Sequence, residues 1–249
     1  MAGRGDHFEL GHVEAKPEQL TLGLDYGPAP GVSFLRHGAR RFAARRGATY
    51  SAEGLDQLQS DPQFQTRVAH TYLSGPVNTD RIAKAYRALA DETRQQYDYL
   101  TRPRTHGGLG VAVEFHPEDN ENPLYRDHHG VINDIKQNRR LKVSKTGAAT
   151  GDTAIDHPFL TPEENDMFRA VHDAFGHAAI GRSFTRHGEE AAYHSHAQMY
   201  SSGARRALAA ETRGQNSTMI YALGGAAFPE QRAVDLPEWA TRSRIRRPG

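Results

Sequence analysis

The chain has no cysteine among its 249 residues, which excludes disulfides, iron–sulfur ligation and thiolate zinc sites. Nowhere do 18 apolar residues run together, and the opening residues, MAGRGDHFEL, hold no apolar leader, so a soluble, cytoplasmic protein without membrane association is expected. The formal net charge is only +1, so no global field steers the chain toward polyanions. Lysine is scarce, with five residues against an excess of arginine, and the single tryptophan is Trp239. Without thiolates, any metal must be held by nitrogen and oxygen donors, which suits ferrous iron first and zinc or manganese as alternatives.

What the chain does have is histidine, 14 in all, six of them between His157 and His196. Residues 1–50 are rich in Gly, Pro and Arg and are expected to form an extended, partly disordered arm. Its run ARRFAARR, residues 39–46, reads as a solvated basic turn or as a contact for phosphates. Residues 51–240 are expected to form one mostly helical metal-binding domain, with 241–249 as a basic tail. Nucleic acid is therefore a partner to consider through the arm and tail. The clearest helix is expected over 78–100, where Ile82, Tyr86, Leu89, Thr93, Tyr97 and Leu100 recur at spacings of three and four. Strands are expected near 109–115 and 140–144, a helix over 126–138, and a mobile loop or lid over 145–157. The glycine-rich turn at 107–110 lacks the lysine and the following helix of a phosphate loop, and reads as a turn into a strand. The fold class that results is α+β, predominantly α-helical with a small β-sheet.

The chemistry concentrates in residues 167–216. Thr161-Pro162-Glu163-Glu164 is a strong helix opening, followed by an apolar face at Phe168, Val171 and Phe175. His172 lies beside that face and His177 five residues further on, about 140° round an ideal helix. The two imidazoles converge only if the helix ends or loosens, for which Gly176 is the expected means. A second helix is expected over 188–200, with Glu190 and His194 on one face and His196 on the next. A third is expected over 204–213, closed by Gly214, with Glu211 on its apolar stripe. A carboxylate there needs a cation or an arginine beside it. His172, His177 and Glu211 thus form an expected two-histidine-one-carboxylate metal set, with Glu190, His194 and His196 as catalytic or supporting groups. The Glu190–His194 pair leaves a dinuclear site open, but no two Glu-x-x-His motifs are present, so a ferritin-like bundle fits poorly.

His172-Asp-Ala-Phe-Gly-His177, with Ser183-Phe184, Glu190 and Glu211-Thr-Arg-Gly, resembles the iron-binding segment of the pterin-dependent aromatic amino acid hydroxylases. In that family the two histidines of an H-[ED]-x-x-G-H motif and a later glutamate bind iron, which implies His172, His177 and Glu211 here. The likeness covers about 45 residues, the interval to the glutamate is shorter, and no pterin-binding segment is placed, so neither pterin nor an amino acid substrate follows from it. The string FRAVHDAFGH with ETRGQN is also similar to uncharacterised proteins of bacteriophages and mobile elements, which implies a bacterial host cell as the setting. The leading expectation is a mononuclear non-haem iron oxygenase or hydroxylase. The alternatives are a metal-dependent hydrolase on the same ligands, and a phage structural or host-interaction protein without catalysis. Substrate, reductant and oligomeric state are not specified by the residues.

Overall fold

The computed structural model describes residues 28–117, 124–145, 157–225 and 229–242. Helices α1 (Ser33–Arg45), α2 (Pro62–Ser74) and α3 (Asp80–Thr101) lead to strand β1 (Ala112–His116). Then come α4 (His128–Asn138), β2 (Arg140–Ser144), α5 (Pro162–Val171), α6 (Arg186–Ala197), α7 (Arg205–Ala209), α8 (Gln215–Tyr221) and the short α9 (Glu238–Thr241). Two π-helical segments interrupt this series: His172–Ala178 prolongs α5, and Ala210–Gly214 joins α7 to α8. The architecture is mostly helical with a two-stranded parallel sheet, in which Ala112 pairs with Arg140 and His116 with Ser144.

Local chemistry sets the helix starts. The Asp61 carboxylate accepts from the Gln63 and Phe64 amides, and Pro62 follows in the first turn of α2. The Thr79 hydroxyl caps α3 at Ile82 N. At α5 both halves of a capping box form, with Glu164 N donating to the Thr161 hydroxyl and Thr161 N to the Glu164 carboxylate. The long α3 buries Ile82, Tyr86, Leu89, Thr93 and Leu100 of the stripe expected from their spacing, while Tyr97 is only half-buried.

Two apolar clusters hold these elements together. One gathers Leu35, Ala39 and Phe42 of α1 with Val131 and Ile135 of α4, Leu141 and Val143 of β2, and Val171 to Ile180. The other gathers α2, the first half of α3, Tyr193 and Ala197 of α6, α7 and the segment around Val234 and Leu236. The pair formed by α5 and α6 contributes to both clusters, and the candidate site lies on that pair.

Two expectations need correction here. The arm expected over 1–50 is, from Ser33, a helix whose Leu35, Ala39, Phe42 and Ala43 are buried. Its arginines at 40, 41, 45 and 46 stay exposed on the other side, and their number hid an apolar stripe at spacings of three and four. Between α1 and α2 the chain makes only a turn and a short 3₁₀ turn at Leu55–Gln57. Gly214 closes nothing, because the chain runs through it from the π segment into α8. Its missing side chain serves packing instead, since a Cβ there would lie 2.5 Å from Tyr72 Cδ2. Residues 1–27 of the arm, most of the expected lid (146–156) and the tail at 243–249 lie outside the described residues. Among the described residues no helix is long and apolar enough to cross a membrane.

Candidate metal centre

The π segment resolves the awkward offset of the two histidines. Within it the hydrogen bonds reach five residues back, as from Ala179 N to Ala174 O at 2.9 Å. Widening the turn to five residues brings His177 under His172 without ending the helix, and the two rings stand perpendicular with centroids 5.0 Å apart. Gly176 is needed for its lack of bulk, not for unusual backbone angles. A Cβ at that position would come 3.1 Å from His172 Nδ1 and 3.3 Å from Ala192 Cβ.

The carboxylate that completes the group is Glu189, from the first turn of α6, where the helix N-terminus favours negative charge. His172, His177 and Glu189 are the only group of three or more potential ligands among the described residues whose donor atoms lie within 4.8 Å of one another. Glu189 Oε2 is 3.6 Å from His172 Nε2, and Glu189 Oε1 is 3.5 Å from His177 Nε2. These distances are too long for good hydrogen bonds. They match the separation of about 3.0–3.6 Å expected between adjacent ligands that each stand about 2.0–2.2 Å from one ion. Both Nε2 atoms are buried without any hydrogen-bond partner. Two orphaned imidazole nitrogens facing a carboxylate fit a divalent cation between them.

The outer nitrogens are held in the matching tautomer. His177 Nδ1 donates to the carbonyls of Ser183 (3.1 Å) and Arg182 (3.3 Å), leaving a lone pair on Nε2. Gly181 makes that return of the chain, with φ +76° and no room for a Cβ against Ala29 O. On the other side, Gln96 Oε1 accepts from His196 Nε2 at 2.9 Å, so His196 Nδ1 can accept from His172 Nδ1 at 3.2 Å. This relay frees His172 Nε2 to face Glu189. Burial, with His172 and His177 nearby, pushes the His196 pKa well down and keeps that ring neutral, as the relay requires. Burial disfavours the charged forms of Glu189 and His177. Their mutual attraction prevails, lowering the Glu189 pKa strongly and raising that of His177. Phe168 stacks along His172 and Phe184 packs on His177, with ring centroids 5.9 and 4.4 Å away.

The residues expected from the sequence are divided among three places. His172 and His177 meet as expected. Glu211, the expected third ligand, is not at that site. Its carboxylate accepts from the Tyr86 hydroxyl, from His157 Nε2 (2.9 Å) and from Gln215 Nε2 (2.9 Å). His157 Nδ1 accepts the amides of Phe159 and Leu160, which fixes Nε2–H as the donor to Glu211. A buried acid on an apolar stripe did need a partner, and three neutral donors answer that need in place of an ion.

Glu190 and His194 belong to a third group. Arg213 Nε and one terminal nitrogen bind the two Glu190 oxygens at 2.9 and 2.5 Å, with His194 Nε2 and Gln65 Nε2 as further partners at 3.0 and 2.8 Å. With both oxygens engaged, Glu190 is a buried ion-pair partner, and the geometry gives it no free lone pair to act as a base. His196 touches His172 and is a positioning residue. Replacing His196 with Phe is expected to weaken metal affinity by about 10–100-fold with the fold retained, read by competition against a chromogenic chelator.

Glu189 was missed because Glu190 pairs with His194 at the familiar spacing of four. A signal was nevertheless present: Glu189, Ala192 and His196 lie at i, i+3 and i+7, on the stripe that α6 turns toward His172. Comparison of the chain with known protein families, with characterised proteins and with solved structures finds no significant match.

Proposed function

We propose that this chain is a mononuclear non-haem metal enzyme that holds ferrous iron at His172, His177 and Glu189 and acts as an oxygenase. The observation that carries the reading is the pair of buried, unpartnered Nε2 atoms aimed at one carboxylate, a group that no fourth His, Asp or Glu joins among the described residues. Two imidazoles and one carboxylate leave positions open, and ferrous iron in such a set supplies dioxygen activation when bound. The chain's own residues fix the ligand set. His196 with Gln96 and the carbonyls at 182 and 183 orient the imidazoles, and Phe168 and Phe184 shield their faces. Phe184 is also 44% exposed, an apolar surface beside the centre for an incoming substrate.

The test is oxygen uptake by protein reconstituted anaerobically with ferrous iron and supplied with ascorbate. Wild-type protein is expected to consume oxygen at a rate well above that of Glu189→Gln at equal iron concentration. Stoichiometric iron binding with no uptake above that variant would reject the oxygenase reading.

A hydrolase on the same ligands has one observation in its favour. The Asp173 carboxyl is only half-buried and lies close enough to His177 and His172 to feel their charges, a position from which it could serve as a general base. Glu190 and His194, the expected bases, are engaged by Arg213. In that case a zinc-loaded chain would hydrolyse activated esters, and Asp173→Asn would abolish this without releasing the metal.

A further inference from the structure

We propose that the cleft between α1, the turn at 104–110 and the C-terminal end of α4 binds a small phosphorylated molecule through Arg41, Arg104 and Arg139. The inference is independent of the metal centre. The cleft has a volume of about 400 Å³, is open to solvent, and is also lined by His37, Phe34 and Leu109. That size lies within the range of about 300–1,000 Å³ typical of small-molecule sites.

Three guanidinium groups line the cleft and no carboxylate does. Elsewhere among the described residues Arg46, Arg81, Arg94, Arg102, Arg140, Arg206, Arg213 and Arg242 pair with an Asp or Glu, while Arg40, Arg45, Arg67 and Arg87 do not; what sets the cleft arginines apart is that three of them share one concavity. Arg41 and Arg104 form no ion pair with any described residue. Like charges gathered in a concavity without counter-charge raise the energy of the empty protein, and an anion relieves it. Arg139 is held in place for such a role. Its guanidinium stacks 3.6 Å from the Phe34 ring centroid and donates to Leu109 O at 2.9 Å. Its backbone takes the left-handed conformation, φ 51°, that ends α4 and turns the chain into β2. Partial burial and the Arg104 charge also lower the Arg139 pKa, the sign of a cation lacking compensation.

Recognition would come from side chains and not from the glycine turn. The amides of Gly107, Gly108, Leu109 and Gly110 all donate to carbonyls of residues 99–104, so none remains to cradle a phosphate. Arginine forks suit phosphoryl oxygens, and a concave pocket selects a compact anion over an extended strand. The run ARRFAARR thereby acquires a specific member, Arg41, facing the cleft.

The experiment is calorimetric titration of inorganic pyrophosphate into the chelator-treated full-length chain, so that bound metal does not contribute. The wild type is expected to show saturable binding at one site, unchanged in Glu189→Gln. An Arg41→Ala/Arg104→Ala double variant with wild-type circular dichroism is expected to bind at least about tenfold more weakly, the effect of losing charged hydrogen bonds. Absence of saturable binding, equal binding by the double variant, or loss of binding in Glu189→Gln would overturn the proposal. Binding of a single-stranded oligonucleotide without binding of pyrophosphate would overturn it as well.

Discussion

Glu189→Gln is expected to abolish stoichiometric metal binding, whereas Glu211→Gln is expected to retain it. Both substitutions keep the shape and one accepting oxygen and remove a charge, so the two variants isolate which carboxylate faces the ion. At Glu189 the lost charge is that of the proposed ligand, whose two oxygens stand at ligand–ligand distances from the histidines. The resulting loss of affinity should exceed the roughly 10–100-fold produced by disturbing an outer partner such as His196. At Glu211 the amide still accepts from Tyr86 and His157, and no metal ligand is touched. Metal content after purification without a chelating tag, measured by elemental analysis, decides the matter. Wild-type content in Glu189→Gln would remove the assignment. Loss of metal from Glu211→Gln with Glu189→Gln intact would restore the order of ligands that the hydroxylase resemblance implied.

That contrast also marks what the sequence could carry. Buried polar residues on apolar stripes were legible: His172, His177 and Glu211 are all buried, and all have specific surroundings. Which of them share a partner was not, because spacing arguments assume a regular helix. An ideal α-helix sets His172 and His177 about 140° apart, and only the switch to π hydrogen bonding aligns them. A second π turn at Ala210–Gly214 sits where Glu211 and Arg213 leave in different directions, one to Tyr86 and His157, the other to Glu190. Period-based reading has no term for such insertions. A helix with an explicit start signal or a long regular stripe fared better, as the Thr161 cap of α5 and the buried stripe of α3 show. The α1 helix escaped notice because it lacks a side-chain cap and its apolar stripe is threaded with arginine.

The second π turn leads to the largest expected effect on stability. Arg213 is fully buried, grips both Glu190 oxygens, donates to the Ala240 carbonyl at 2.6 Å and lies 3.8 Å from the Tyr193 ring centroid. It thereby ties α6 to the chain around α9. Arg213→Met leaves Glu190 as a buried acid without its cation, with only His194 and Gln65 beside it, a change that costs about 3–5 kcal/mol. For a chain of this size that is a fall in Tm of roughly 6–20 °C. Replacing both partners, as in Arg213→Met/Glu190→Leu, should recover much of the loss, because the cost comes from the stranded charge. The pH dependence has a definite sign. Burial opposes ionisation of Glu190, but the Arg213 guanidinium and His194 outweigh it and hold the pKa at about 2, below the ordinary 4.5. A carboxylate depressed in the folded state adds stability that is complete above its unfolded value and declines as pH falls from 4.5 toward 2. The gap in stability between wild type and Arg213→Met should therefore be full near neutrality and narrow across that interval, as urea unfolding at a series of pH values would show. A gap that stays constant down to pH 2 would mean that Arg213 acts by packing against Tyr193 and Phe64 and not by its charge.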